Sequence, residues 1–322
     1  MSVERPEIET KPKFDPNHSE LELNSELPGK YARLLEEAIG HRFKVDGIIE
    51  IGSYAKGEAV PGSDIDTRVY VSSPDFYIRQ TSGSRLSVAR QKEEEQKFSD
   101  FLQTVAEKPR HTLDWFEFND PTAKKLCEQL GINIEFGLAD SRFAEYELRN
   151  LNSLPSAEHQ LLLESNLVFD PSSFLAIRKS EIKGKVYPPL AKLYQERYLD
   201  SLPFEIYTHL QPHDMDKWKL EKSRQIQWVN WAVRSIRDAV GAESYIQNGK
   251  LIYRKEDVLN FCAASLPPED VTLIKELYHW KTNPLTREQM IDDFLKNPSK
   301  NFALFREYTT KLEDIVKRIK NL

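Results

Sequence analysis

Between residues 48 and 71, two apolar runs enclose a turn rich in glycine and acid. Ile48 to Ile51 precede Gly52-Ser53, and Val69 to Val71 follow Asp64-Ile65-Asp66. Short apolar runs bounded by Gly and Pro read as strands. Alternation puts Asp64 and Asp66 on one face of their strand and Ile65, Thr67, Val69 and Val71 on the other, where they can pack on a core. Two adjacent carboxylates repel each other, so a fold keeps them together when a cation neutralises both. Hard oxygen ligands in this arrangement suit Mg²⁺ or Mn²⁺. Such an ion can bridge phosphate oxygens and activate an attacking hydroxyl. Gly52-Ser53 is expected to end the first strand and open a short helix, giving backbone N–H groups and a hydroxyl fit for a triphosphate. Gly57 and Gly62 allow tight turns. No Gly-Lys-Ser/Thr follows, which excludes a Walker-type phosphate loop.

Arg68 shares the expected face of Asp64 and Asp66. Two roles fit it: a guanidinium that neutralises the carboxylates, or a contact to nucleotide phosphates. Alternation alone does not separate them.

The spacing of Gly52-Ser53 and Asp64-Ile65-Asp66, with Gly57 and Ser63 between, resembles the signature of the nucleotidyltransferase superfamily. That superfamily includes DNA polymerase β, CCA-adding enzymes and antibiotic adenylyltransferases. The resemblance implies a third carboxylate on a neighbouring strand, as metal ligand or general base. Candidates lie in two strand-like segments, residues 113–118 with Asp114 and Glu117, and residues 132–138 with Glu135. Glu135 is preferred. It is central in an apolar run after a helix-like segment, Thr122 to Leu130, that Gly131 closes. A charge in such a run is costly unless paired or metal-bound. A glutamate here resembles the streptomycin/spectinomycin adenylyltransferase branch, where it serves as catalytic base. The segment from Gly249 to Val258 is similar to the helical C-terminal domain of those enzymes, which implies a phosphate-neutralising role for Lys255, with Lys250 as alternative. Thr67 and Arg68 depart from the apolar residues usual after the second aspartate.

The chain has 322 residues, enough for two ordinary domains. Residues 1–24, with Pro6, Pro12 and Pro16, read as a tail. Residues 25–175 are expected to form the catalytic domain and residues 176–322 a helical domain, an α+β chain with a small mixed sheet in its first part. Helices are predicted over 28–39, 86–107, 216–240, 254–265, 268–281, 286–296 and 302–320 by apolar periodicity and Pro/Gly stops. Residues 74–85 read as a polar turn, and Gly241 and Gly249 as the ends of a loop. The helix at 86–107, with Phe98, Phe101, Leu102 and Val105 in its buried row, reads as a cover for the sheet. Cys127 and Cys262 are read as buried and reduced; Trp218, Trp228, Trp231, Tyr245 and Trp280 are read as core aromatics, the alternative being a cleft face that stacks on adenine or holds a sugar-like substrate.

A net charge of −6 disfavours a long nucleic-acid groove. No apolar run approaches membrane-spanning length, and the N-terminus has no signal-peptide pattern, so a cytoplasmic location is the default. The resemblance implies transfer of a nucleoside monophosphate, AMP from ATP, to a hydroxyl with two Mg²⁺ ions. Gly52 and Ser53 would bind the triphosphate, and Asp64, Asp66 and Glu135 the metal. A small aminoglycoside-like acceptor is favoured over RNA or protein. The alternatives are a toxin-like transferase acting on those macromolecules and an inactive nucleotide- or partner-binding module.

Overall fold

A computed structural model describes residues 43–59, 65–79, 88–105, 111–114, 134–203, 206 and 222–322. The expected tail and the helices predicted over 28–39 and 122–130 lie outside these residues, as do Asp64, Glu117, Cys127 and Trp218.

Strand β1 (Lys44–Ile51) pairs antiparallel with β2 (Ile65–Ser72), placing Ile51 opposite Asp66. A second pair is β3 (Phe76–Arg79) with β4 (His111–Asp114), parallel and in a separate sheet. Strand β5 (Ile134–Asp140) runs parallel to β2, and β6 (Asn166–Phe169) antiparallel to β1. The main sheet is therefore ordered β5-β2-β1-β6. Both faces of its centre are covered: Ile48, Val69 and Val71 are buried on one side, Ile49 and Tyr70 on the other. This is why the central segments Ile48-Ile49 and Val69-Tyr70-Val71 are apolar without a break.

The polar-turn reading of 74–85 is corrected by β3. Tyr77 and Ile78 are buried, and the Ile78 N–H donates to the Asp140 carboxylate at 3.2 Å. Helix α1 (Gly52–Lys56) follows β1. Helix α2 (Val88–Thr104) lies over β3 and α3 (Ser141–Arg149), packing Phe98 and Phe101 on Tyr77 and Phe143. Asp140 caps α3 by accepting from the N–H groups of Arg142 and Phe143.

The stretch between 150 and 185, which lacks clean periodicity, holds α4 (Ala157–Glu164), β6 and α5 (Phe174–Ile182). Then come α6 (Pro188–Tyr194), a π-helical turn over Gln195–Asp200, and α7 (Lys222–Asn248). The chain closes with α8 (Lys255–Ser265), α9 (Pro268–Thr282), α10 (Pro284–Lys296) and α11 (Pro298–Lys320). Proline stands in the first turn of α6, α9, α10 and α11, where its missing N–H has no helical partner to lose.

Helix α7 runs through Gly241 instead of stopping there. A Cβ at Gly241 would lie 2.8 Å from the Ile252 carbonyl, so this glycine serves a close approach within a helix whose next turn is buried. The Trp228 indole N–H donates to Thr309 Oγ1 at 3.3 Å, and its ring meets Phe305 edge-on. Trp228, Tyr245 and Cys262 are core, whereas Trp231 is 41% exposed. One hydrophobic cluster runs from Ile49, Tyr70 and Ala139 in the sheet to Val233, Ile236 and Ile315 in α7 and α11. Ile236→Ala, at a fully buried site in that cluster, should cost about 2–5 kcal/mol in urea unfolding, from lost burial plus the cavity left.

Candidate functional site

The end of β1 and the start of β2 meet at Gly52. Its φ is +72°, and a Cβ built there would fall 1.9 Å from Asp66 Oδ2 and 2.7 Å from Asp66 Cγ. The Asp66 carboxylate thus occupies the space that any other residue at 52 would fill. On the far side, β5 places the Glu135 backbone in register with Asp66. The Glu135 side chain and all of Asp64 lie outside the described residues. Asp114 ends β4 in the separate two-stranded sheet, paired with Arg79.

Ser53 lies in the first turn of α1, half-buried. The helix closes at Gly57, whose φ of +69° lets the Glu58 N–H return to the Ser53 carbonyl at 2.9 Å. The residues flanking Gly57 turn to opposite charges. Lys56 pairs with Glu164 of α4 at 2.9 Å. Glu58 receives Arg237 Nη1 of α7 at 2.9 and 3.2 Å on its two oxygens, and Lys281 of α9 on one of them. The Glu58 side chain is 1% exposed. Burial opposes its ionisation, but Arg237 and Lys281 outweigh that and hold its pKa below the usual carboxylate value. Burial leads the causes that lower the Lys281 pKa, with Glu58 opposing.

Arg68 has a partner outside those weighed from the sequence. Its guanidinium pairs with Glu158 of α4, which also accepts the Tyr70 hydroxyl at 2.7 Å. Glu147 of α3 is buried close by. Burial, then the charges of Glu158 and Glu94, raise its pKa to about 8. Lys255 begins α8 and donates to Thr282 Oγ1 at 3.0 Å, while Lys250 is exposed. Beside Lys56 and Glu58 a crevice is lined by Gln160, Glu164, Tyr198, Arg237, Asp238 and Tyr253, among others.

Glu58, Arg237, Lys281, Glu158 and Glu147 were not singled out from the sequence. A signal existed for Arg237: it stands four residues after Val233, inside the apolar stripe of α7. Glu158 and Lys281 carry no comparable mark.

Asp66 is one carboxylate of the kind hard cations take, held in a fixed position near a strand end. Among the described residues no group of three or more His, Cys, Asp or Glu is arranged to hold a metal; Asp64 and the Glu135 side chain, the other ligands expected from the sequence, lie outside them.

Two consequences are measurable. Gly57→Ala meets open space and bears only the left-handed backbone cost of about 1–2 kcal/mol. Gly52→Ala adds displacement of Asp66 and should be clearly less stable than Gly57→Ala in parallel urea titrations. Glu147→Gln should change the pH profile of Tm. A carboxyl whose folded pKa is raised contributes stability below its unfolded pKa, and loses it as pH rises through about 8. The variant should therefore gain several degrees over the parent at pH 9 and little at pH 4.

Comparison with curated proteins gives no match. Residues 32–132, which include β1, α1, β2 and the whole Gly52-to-Asp66 segment, match the family model described as the nucleotidyltransferase domain. With Gly52 and Asp66 locked together between two paired strands, and that match across them, this chain carries a nucleotidyltransferase domain in its N-terminal part.

Proposed function

We propose that this chain transfers a nucleoside monophosphate, AMP from ATP, to a hydroxyl of a small acceptor. The observation that supports it most is the seat of Asp66 on Gly52, in register with Glu135. Asp64, Asp66 and Glu135 would hold Mg²⁺. The bound ion would supply charge neutralisation on the triphosphate and polarisation of the reacting oxygens.

The chain's own residues do the rest. Ser53 and the first N–H groups of α1 bind the triphosphate oxygens. Lys255 adds a cation to the same phosphates. Glu135 accepts the proton of the acceptor hydroxyl as its oxygen bonds to the α-phosphorus; the α–β bridging bond breaks and pyrophosphate leaves with the electron pair. Arg68, paired with Glu158, acts at a distance by fixing the level of β2 against α4. The protein contributes mainly position and charge, as in other phosphoryl transfers. The acceptor would lie on the side of the molecule where α4, the π-helical turn and α7 meet.

The experiment is a label-transfer assay with Mg²⁺ and each α-labelled nucleoside triphosphate, with aminoglycosides, bulk tRNA or cell lysate as acceptor. ATP should label a small molecule, with release of pyrophosphate. Asp66→Ala should lower the rate by roughly 10²-fold or more, since it removes a charge the transition state needs. Equal transfer by parent and Asp66→Ala would sink the assignment; labelled tRNA or protein would move the acceptor to a macromolecule.

A further inference from the structure

We propose that Glu58 is a positioning residue: gripped by Arg237 and Lys281, it latches α1 and its closing turn, Gly52–Glu58, to the helical part of the chain and so sets the position of the phosphate-binding turn. Its catalytic consequence rests on the nucleotidyltransfer reading above; its structural consequence does not.

The argument starts from burial. A carboxylate that is 1% exposed has given up nearly all of its water and is stable there only if its oxygens are paired. Both Glu58 oxygens are taken by Arg237 Nη1, and one also by Lys281. These cations come from two helices, α7 and α9, and Glu58 lies 179 and 223 residues from them in sequence. The contact therefore fixes a local turn to distant elements. Arg237 is itself buried and held by the apolar stripe of α7, so its guanidinium is a rigid anchor rather than a mobile surface charge.

The second flank repeats the device with the sign reversed. Lys56, on the other side of Gly57, pairs with Glu164 of α4, and both side chains are largely buried. Gly57, in the left-handed conformation, turns the chain between them. A two-pronged grip of opposite charges resists both translation and rotation of the turn, which one pair would not. The turn begins at Gly52, which carries the seat of Asp66. Glu164 and Arg237, one partner from each prong, also line the crevice. The anchors of the turn that carries Ser53 thus also form part of the crevice wall.

The test has two layers on the full-length chain. Hydrogen exchange needs no assumption about catalysis. Glu58→Gln should speed exchange of the amides of residues 52–58 by about tenfold or more, while the centre of α7 keeps its protection. In the label-transfer assay the same variant should raise KM for the nucleotide by roughly tenfold, with the active fraction unchanged, and Glu58→Asp should recover part of the loss. A merely structural role would instead lower the active fraction at constant KM. Lys281→Met combined with Glu58→Gln should be no worse than Glu58→Gln alone, since both remove one interaction. Should Glu58→Gln fail to fold, Lys281→Met, which leaves the Glu58–Arg237 pair, carries both measurements. Unchanged exchange over residues 52–58, or additive effects in the double variant, would overturn the latch. Loosened exchange in a chain whose parent shows no transfer would uphold the latch and reject the transferase reading.

Discussion

The contact between the Asp66 carboxylate and the bare Cα of Gly52 is the constraint around which the N-terminal part is arranged. It requires β1 to end where β2 begins, which the antiparallel register provides by setting Ile51 opposite Asp66. It also requires a positive φ at residue 52, so that the chain leaves the sheet and enters α1 within one residue. A side chain at 52 would occupy the acid's position. Strand register, glycine and carboxylate are thus a single geometric unit.

Around that unit three buried charges take partners from distant segments. Glu58 meets Arg237 and Lys281, Lys56 meets Glu164, and Arg68 meets Glu158. Buried pairs of this kind contribute little net stability against apolar replacements, but leaving one member alone is costly. Their effect is selective: they make one arrangement of sheet against helices acceptable and penalise its neighbours. His159 shows the neutral form of the same principle. Burial between Tyr194 and Tyr245 lowers its pKa to about 4, so it sits in the core as a polar but uncharged ring.

Much of this was legible before the fold. The apolar runs at 48–51 and 69–71 lie inside strands, and the helices predicted near 254–265, 268–281, 286–296 and 302–320 correspond to α8 through α11 within a few residues. Their limits are written locally, in proline starts and apolar periodicity. Gly241 misled because glycine has two uses, stopping a helix and admitting a close neighbour, and its own sequence context does not distinguish them. The segment at 76–79 misled because its strand character comes from packing under α2 and from Asp140, not from alternation. Arg68 was placed on the correct strand, yet its partner, Glu158, lies 90 residues away on a helix of low amphipathicity.

The sequence by itself determined the strand–glycine–helix unit and the helical run of the second half. These depend on spacing along the chain, and backbone geometry translates spacing directly into which face and which turn a residue occupies. Only the tertiary structure decided that Glu58, Lys56 and Arg68 are paired with helices far along the chain, and that Asp66 rests on Gly52. Those choices depend on which surfaces meet. A charged residue carries the same local signal whether it faces water or a buried partner, and desolvation acts only once the fold has closed over it.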